Sequence, residues 1–320
     1  MFLEQIVSNL VNPPILFFFL GMFAIAVRSD LDLPQPIPRL LSLYLLMVIG
    51  LKGGFELSHS HLTLEMGMVL FYAVVLSALM PIVGFFILRG KLGVANAAGV
   101  AATYGSISAV TFITAISFLE SQTEQYGGYM VAAMALMESP AIIVGIFLAS
   151  RYGADSEFDW KEIVKDSFFN GSVLLLLGAL AIGLLSGYES AQPLQPFTEG
   201  IFKGVLCLFL LDMGLASARR IGALKKHGLF AIGFAIIFPL TFGLLTAVFC
   251  AMADVPKGDA LLLTILCGSA SYIAVPAAMR ISVPRANPGL YIPMSLAVTF
   301  PFNIILGIPM YYQVLNYLGL

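Results

Sequence analysis

Two similar segments, YGSISAV at residues 104–110 and CGSASYI at residues 267–273, decide the fold of this chain. Each contains the pattern Gly-Ser-x-Ser, and each interrupts a long apolar run near its middle. A helix that breaks inside a bilayer must place its freed backbone groups against protein or a water-filled cavity, because lipid cannot hydrogen-bond them. The pair of breaks therefore predicts a binding site for a small polar solute.

The composition places the chain in a membrane. Of its 320 residues, 59% are hydrophobic and 11% are charged, and the mean hydropathy is +0.96. Soluble domains carry about 25% charged residues. The sequence has no basic stripe, so we expect no nucleic-acid partner. The opening Met1-Phe2-Leu3-Glu4 lacks the basic region of a secretory signal, and we expect the first apolar segment to be a retained span.

Apolar runs predict an all-α polytopic protein with about ten spans, each near the length that a bilayer requires. The predicted windows are 12–27, 38–57, 64–89, 95–118, 126–150, 168–187, 199–218, 228–253, 258–281 and 290–315. With the N-terminus outside, only Lys52, Lys203 and Lys257 of the 16 Lys and Arg residues fall in outer loops. This bias follows the positive-inside rule, so both termini are expected to face outward.

The two halves of the chain are expected to form an inverted repeat. Residues 1–150 and 168–320 each hold five predicted spans, and 151–167 forms a short cytoplasmic linker around Trp160. An odd number of spans per half inverts the second half, as in many secondary transporters. The pairs Gly54/Gly214, Gly105/Gly268, Ser139-Pro140/Phe300-Pro301 and Met80-Pro81/Phe238-Pro239 recur at offsets of 158 to 163 residues.

The repeat makes the two broken helices run in opposite directions, so their second halves begin close together at mid-membrane. Each helix N-terminus carries about half a positive charge and several unpaired N–H groups, and two of them match a monovalent anion. Ser106, Ser108, Ser269 and Ser271 suit capping or ligand roles. Gly105 and Gly268 are expected to permit the turn and close backbone approach.

A cation site is expected beside the anion. The carbonyls that end the first half-helices, around Thr103-Tyr104 and Leu266-Cys267, suit sodium, and the hydroxyls of Thr103 or Thr111 can add ligands. Glu138 lies mid-span and marks a functional site by default; a protonated, structural Glu138 is the alternative. Asn303 lies one turn beyond Thr299, the counterpart of Glu138.

Other features have simpler interpretations. His59 and His61 lack the further ligands of a metal site, and surface histidines are expected. Lys52 and Asp212 lie toward helix ends, where snorkelling or local pairing is expected. An intramembrane serine hydrolase is disfavoured because no histidine base lies at mid-membrane.

The two motifs, extended as ATYGSISAVTF at 102–112 and CGSASYIAVPAAMR at 267–280, together with NPPILFF at 12–18, resemble the sodium-dependent bicarbonate transporters of the SbtA type. The resemblance covers nearly the whole chain. It implies crossed broken helices in a core domain, a separate gate domain, and sodium-coupled bicarbonate symport across the bacterial inner membrane. It also implies a homotrimer and a PII-like regulatory partner on the cytoplasmic side. The linker between the halves is shorter than expected for cyanobacterial members of the family, so the resemblance does not decide whether this chain binds a PII-like partner.

The resemblance places the bicarbonate site at the crossing. The matching positions are Gly105, Ser106, Ile107, Ser108, Gly268, Ser269, Ala270 and Ser271. The residues themselves specify a small anion and leave its identity open. The alternative is another small monovalent anion or carboxylate on the same architecture, with proton coupling through Glu138.

Overall fold

The structure is a computed structural model that describes residues 7, 9–34, 36–59, 63–153, 165, 169–224 and 228–320. These residues contain no strand. The linker around Trp160 and the side chain of His61 lie outside them.

Helices form the described chain almost from end to end. They are α1 (Pro13–Ala26), α2 (Pro36–His59), α3 (Leu64–Leu92), α4 (Val94–Gly105), α5 (Ala109–Ser121), α6 (Tyr129–Arg151), α7 (Gly171–Ser186), α8 (Phe202–Leu224), α9 (Gly228–Met252), α10 (Lys257–Cys267), α11 (Ala274–Ser282) and α12 (Pro288–Tyr317). Short helical turns at Tyr188–Ser190, Ala191–Gln195 and Pro196–Gly200 lead into α8. Helix α12 contains two π-helical segments, Ser295–Thr299 and Asn303–Gly307.

Local sequence signals set several of these boundaries. The Thr63 hydroxyl accepts the Met66 N–H at 3.2 Å and caps α3, which is followed by its C-cap Gly93 with φ +74°. The Asn170 side chain accepts two N–H groups at the start of α7, which is followed by its C-cap Gly187 with φ +72°. Cap and terminator residues of this kind define helix ends even when the hydrophobic pattern continues.

The prediction of an all-helical protein with several membrane-spanning segments is confirmed. Seven helical stretches in the described chain have the length and apolarity needed to cross a membrane, and α1 and α7 are shorter apolar helices. Every predicted window overlaps a helix. The ninth window is divided between α10 and α11, neither of which is long enough to span alone, so the total of ten spans stays a prediction.

The two largest helix–helix interfaces in the protein join α1 to α8 and α2 to α7. We call α1, α2, α7 and α8 the four-helix group. Glycines allow both close approaches: a Cβ on Gly21 or Gly214 would strike the facing backbone of α8 or α1. A Cβ on Gly54 or Gly183 would strike the backbone of α7 or α2 in the same way. Such small-residue contacts are a common basis of helix association in membranes.

The remaining helices surround the two breaks, and we call them the crossing group. Helix α3 packs on α4 and α6, while α9 packs on α10 and α12. The broken helices also touch each other in reciprocal fashion, α4 against α11 and α5 against α10. In an 18-residue apolar window of the stretch Val94–Ser121, 94% of the residues are buried within the protein, which agrees with a broken helix shielded from lipid.

Candidate functional site

The first break is short and capped by a serine. Helix α4 ends at Gly105, and Ser106 and Ser108 are both extended, with ψ of 179° and 103°. Ser108 is the N-cap of α5, and its Oγ accepts both the N–H of Thr111 at 3.2 Å and the hydroxyl of Thr111 at 2.8 Å. A hydroxyl oxygen has two lone pairs and one hydrogen. Both lone pairs are therefore used, and the hydrogen of Ser108 can be donated either to the neighbouring Tyr272 hydroxyl or to a solute in the cavity.

The second break is longer, from Gly268 to Ile273 between α10 and α11. Ser271 contributes to the start of α11, since its Oγ accepts the Val275 N–H at 3.4 Å. The glycines were expected to make the turns, but Gly268 has φ −90° and neither Gly105 nor Gly268 adopts a positive φ. Close packing explains them instead: a Cβ on Gly105 would strike the Pro81 ring, and one on Gly268 would lie 2.9 Å from the Tyr311 hydroxyl.

Direct hydrogen bonds join the two breaks. The Ser108 N–H donates to the Ser269 Oγ at 3.0 Å, and the Ser269 hydroxyl donates to the Leu266 carbonyl at 3.1 Å. In the other direction, the Ser271 N–H donates to the Thr103 carbonyl at 2.9 Å. The two breaks are therefore held as one unit, and the starts of α5 and α11 lie beside each other.

A cavity of about 40 Å³ lies at these two helix starts. One water needs about 10–15 Å³ on the same scale, so the cavity admits a solute of a few heavy atoms. The crossing group lines it with residues 107–110, Ile113, Met134, Glu138 and residues 271–274, and the four-helix group lines it with Ser42, Leu45, Leu46, Ser172, Leu176 and Phe209. The cavity is thus bounded by both groups of helices.

First-turn residues of both helix starts line the cavity. Ala109 and Val110 belong to the first turn of α5, and Ala274 begins α11. N–H groups of a first turn have no acceptor within their own helix. Together with the two helix dipoles, they give this end of the cavity a positive potential that suits an anion.

Unpaired oxygens lie behind the breaks. The side-chain oxygens Thr103 Oγ1, Ser106 Oγ, Thr264 Oγ1 and Asn303 Oδ1 are buried and have no hydrogen-bond partner among the described residues. The Asn303 amide Nδ2 donates to the Gly268 carbonyl at 2.8 Å, which holds its Oδ1 close to the second break. Neutral oxygens of this kind are the ligands that hard cations prefer.

A model of the Na+-dependent bicarbonate transporter superfamily matches residues 13–316. The chain belongs to this superfamily. The resemblance inferred from the two serine motifs is therefore confirmed. A search of curated individual proteins found no match.

Membership in the superfamily assigns the chain a transport function, and the protein is a transporter rather than an enzyme. The family supports bicarbonate and sodium as the transported solutes, and the apolar helices agree with a multi-pass membrane protein. Within the described residues, no group of three or more His, Cys, Asp and Glu side chains could hold a metal ion.

The structure divides the predicted anion residues of this superfamily member into two sets. Ile107, Ser108 and Ser271 line the cavity. The others are buried beside it: Gly105 packs on Pro81, and Ser269 bridges the breaks. Ser106, Gly268 and Ala270 are also buried at the crossing.

The residues predicted to bind sodium are spread over several places around the breaks, and most of them already have hydrogen-bond partners. Thr103 and Leu266 already accept hydrogen bonds through their carbonyls, although a carbonyl has a second lone pair. Tyr104 is tied to Thr299 at 2.7 Å, and Thr299 donates to the Ala235 carbonyl at 2.6 Å. Thr111 bonds to Ser108, and Cys267 is fully buried at the end of α10. Glu138 borders the cavity itself.

Sequence reasoning missed the wall that the four-helix group contributes. Ser42, Ser172 and Phe209 carry no motif, and only the packing of α2, α7 and α8 brings them to the breaks. The expected local pairing of Lys52 is confirmed, since its Nζ lies 3.3 Å from a Glu120 oxygen. His59 is exposed and contacts the ring of Tyr188, which agrees with a surface histidine.

Proposed function

We propose that the protein is a sodium-coupled bicarbonate symporter that holds the anion between the starts of α5 and α11. The observation that carries the proposal is the cavity at these two helix starts, which is lined by Ser108, Ala109 and Val110 of one start and by Ala274 of the other. Two helix N-termini supply about one positive charge. That charge matches one bicarbonate ion.

The charges of the site support sodium as the second cargo. Glu138 borders the cavity, and its carboxylate would repel a bicarbonate ion unless a cation lay nearby. Two helix N-termini and one sodium ion give about two positive charges, which balance bicarbonate and an ionised Glu138. The unpaired oxygens of Thr103, Ser106, Thr264 and Asn303 offer ligands for that sodium behind the breaks. Each ion then improves the site for the other, which is the basis of coupling.

The paired interfaces support an inverted repeat with a gate and a core. The contact of α1 with α8 has a counterpart in that of α2 with α7, and the crossing contacts of α4 with α11 and α5 with α10 are also reciprocal. We assign residues 1–150 and 168–320 to the two repeats, with 151–167 as the linker. The four-helix group is the gate and the crossing group is the core.

Transport would then follow from movement of the core against the gate. The cavity lies between these two bodies, so a displacement of one along the other exposes the anion alternately to each side. In this proposal the protein crosses the bacterial inner membrane ten times, with both termini outside. A homotrimer and a PII-like regulator on the cytoplasmic side follow from the family resemblance alone.

A second candidate is a transporter of another small monovalent anion or carboxylate on the same architecture. The position of Glu138 on the cavity wall favours proton coupling in this case, because a protonated Glu138 would not repel the anion. Glu138→Gln should remove the pH dependence of uptake and leave its sodium dependence intact if protons are the coupled ion. Loss of sodium dependence in the same variant supports symport with sodium.

Uptake of labelled bicarbonate into proteoliposomes tests the main proposal. A neutral pair of one sodium and one bicarbonate is driven by the sodium gradient alone, at about 1.4 kcal/mol per tenfold concentration ratio. We expect uptake to require an inward sodium gradient and to persist when the membrane potential is collapsed. Uptake that proceeds equally well without sodium contradicts the proposal, and a competition series with formate, acetate and nitrate separates bicarbonate from other anions.

A further inference from the structure

Three charged side chains form a cluster at one membrane face of the protein. Glu120, in the last turn of α5, accepts ion pairs from two lysines, with Lys52 Nζ 3.3 Å from Oε1 and Lys203 Nζ 3.5 Å from Oε2. Lys52 belongs to α2 and Lys203 to α8. One carboxylate from the crossing group is thus held between two ammonium groups of the four-helix group, and the cluster carries an excess of one positive charge.

The cluster lies directly above the cavity on the same three helices. Leu45 of α2, Ile113 of α5 and Phe209 of α8 line the cavity. Lys52, Glu120 and Lys203 lie six or seven residues away on those helices, which is about two helical turns or 10 Å. Because both lysines contact Glu120, the three residues lie on the same side of the cavity, toward one membrane face. The cluster therefore lies between that face and the cavity on three of the helices that line it.

A second ion pair on this face provides a comparison. Glu124 pairs with Lys257 at 3.0 Å and accepts the Tyr312 hydroxyl at 2.9 Å. Glu124 follows α5, while Lys257 and Tyr312 belong to α10 and α12, so every member lies in the crossing group. This pair does not connect the two groups of helices and need not break when they move apart.

We propose that Lys52 and Lys203 form the entry site for the transported anion and that the Glu120 carboxylate occupies this site while the entrance is closed. The inference rests on the proposed function, because it takes the transported solute to be bicarbonate. Bicarbonate presents the same planar O–C–O group as a glutamate side chain, so it can replace Glu120 between the two ammonium groups. Ion pairs between partly exposed side chains are weak, and the side chains of Lys52 and Glu120 are 25% and 30% exposed. The closure can therefore open and re-form in each transport cycle.

The closure is tested by cysteine accessibility, which does not depend on transport. Ser42→Cys places a thiol on the cavity wall, and Cys207→Ala removes the most accessible native thiol, while Cys250 and Cys267 are buried and stay in place. A membrane-impermeant thiol reagent is added on the side of Lys52. Glu120→Gln should raise the labelling rate at least fivefold, and Glu124→Gln should leave it within twofold. Labelling of the Glu120→Gln protein at the unaltered rate overturns the closure.

The entry site is tested by bicarbonate uptake at low ionic strength. Lys52→Met and Lys203→Met should each raise the half-saturating bicarbonate concentration about three- to tenfold, and added salt should reduce the difference because it screens exposed charges. Lys257→Met on the same face should change it less than twofold. Unchanged half-saturation in both entry-site variants overturns the entry site. If the unaltered protein takes up no bicarbonate, the proposed function fails, while the labelling rates still decide whether Glu120 closes the path.

Discussion

Replacing Ser108 with alanine tests the anion site at its most specific contact. The Ser108 oxygen already accepts two hydrogen bonds from Thr111, so in the proposed complex its own hydrogen turns from the neighbouring Tyr272 hydroxyl to the anion. A hydrogen bond to a charged partner contributes about 1.5–3 kcal/mol. Since 1.4 kcal/mol corresponds to a factor of ten, Ser108→Ala should raise the half-saturating bicarbonate concentration about 10- to 150-fold.

The same substitution removes a helix cap, which costs about 0.5–2 kcal/mol of stability. Uptake is therefore measured in proteoliposomes below the melting temperature of the variant, with that temperature determined on the purified protein. Thr114→Val is the matched control, because Thr114 is buried on the same helix and, among the residues that the structure describes, its hydroxyl bonds only to the Val110 carbonyl one turn back. The control should keep its half-saturation within twofold. A folded Ser108→Ala protein with unaltered half-saturation would refute the reasoning.

Three further predictions follow from the same contacts. Gly105→Ala should abolish folded protein because the new Cβ strikes the Pro81 ring, and adding Pro81→Ala should restore part of it; failure of any rescue in a thermal-unfolding assay contradicts the packing argument. Asn303→Leu should raise the half-saturating sodium concentration about tenfold, since it removes an unpaired oxygen, and equal sodium curves would exclude this ligand. Burial raises the pKa of Glu124, but its hydrogen bonds to Lys257 and Tyr312 outweigh burial and leave the pKa below its usual range. Its contribution to stability is therefore present above about pH 4.3 and lost as the pH falls further, so the melting temperature of Glu124→Gln should depend less on pH in this range than that of the unaltered protein.

The sequence predicted the breaks well because their causes are local. Serine caps and short polar interruptions act within a few residues, and Ser108 does cap α5 as expected. The family followed from the same two motifs and is confirmed over residues 13–316. The conformation of the glycines was not predicted, because Gly105 is required by Pro81 on another helix rather than by its own backbone angles.

The rest of the site depends on contacts between distant segments. Phe209 and Ser172 reach the cavity only through the packing of α7 and α8. The Glu120 cluster joins residues 68 and 83 positions apart, and nothing near Glu120 in the sequence indicates its partners. Ser269 shows the same limit, since its role as a bridge between the breaks depends on the neighbouring N–H of Ser108. Such arrangements require the tertiary structure.

Equilibrium binding of labelled bicarbonate to the purified protein at increasing sodium concentrations tests the central claim, that the crossing holds an anion beside a cation. The account predicts that sodium lowers the dissociation constant of bicarbonate and that bicarbonate lowers that of sodium by the same factor. It also predicts that Ser108→Ala weakens bicarbonate binding at every sodium concentration. Bicarbonate binding that is independent of sodium, or unaffected by Ser108→Ala, would contradict the account.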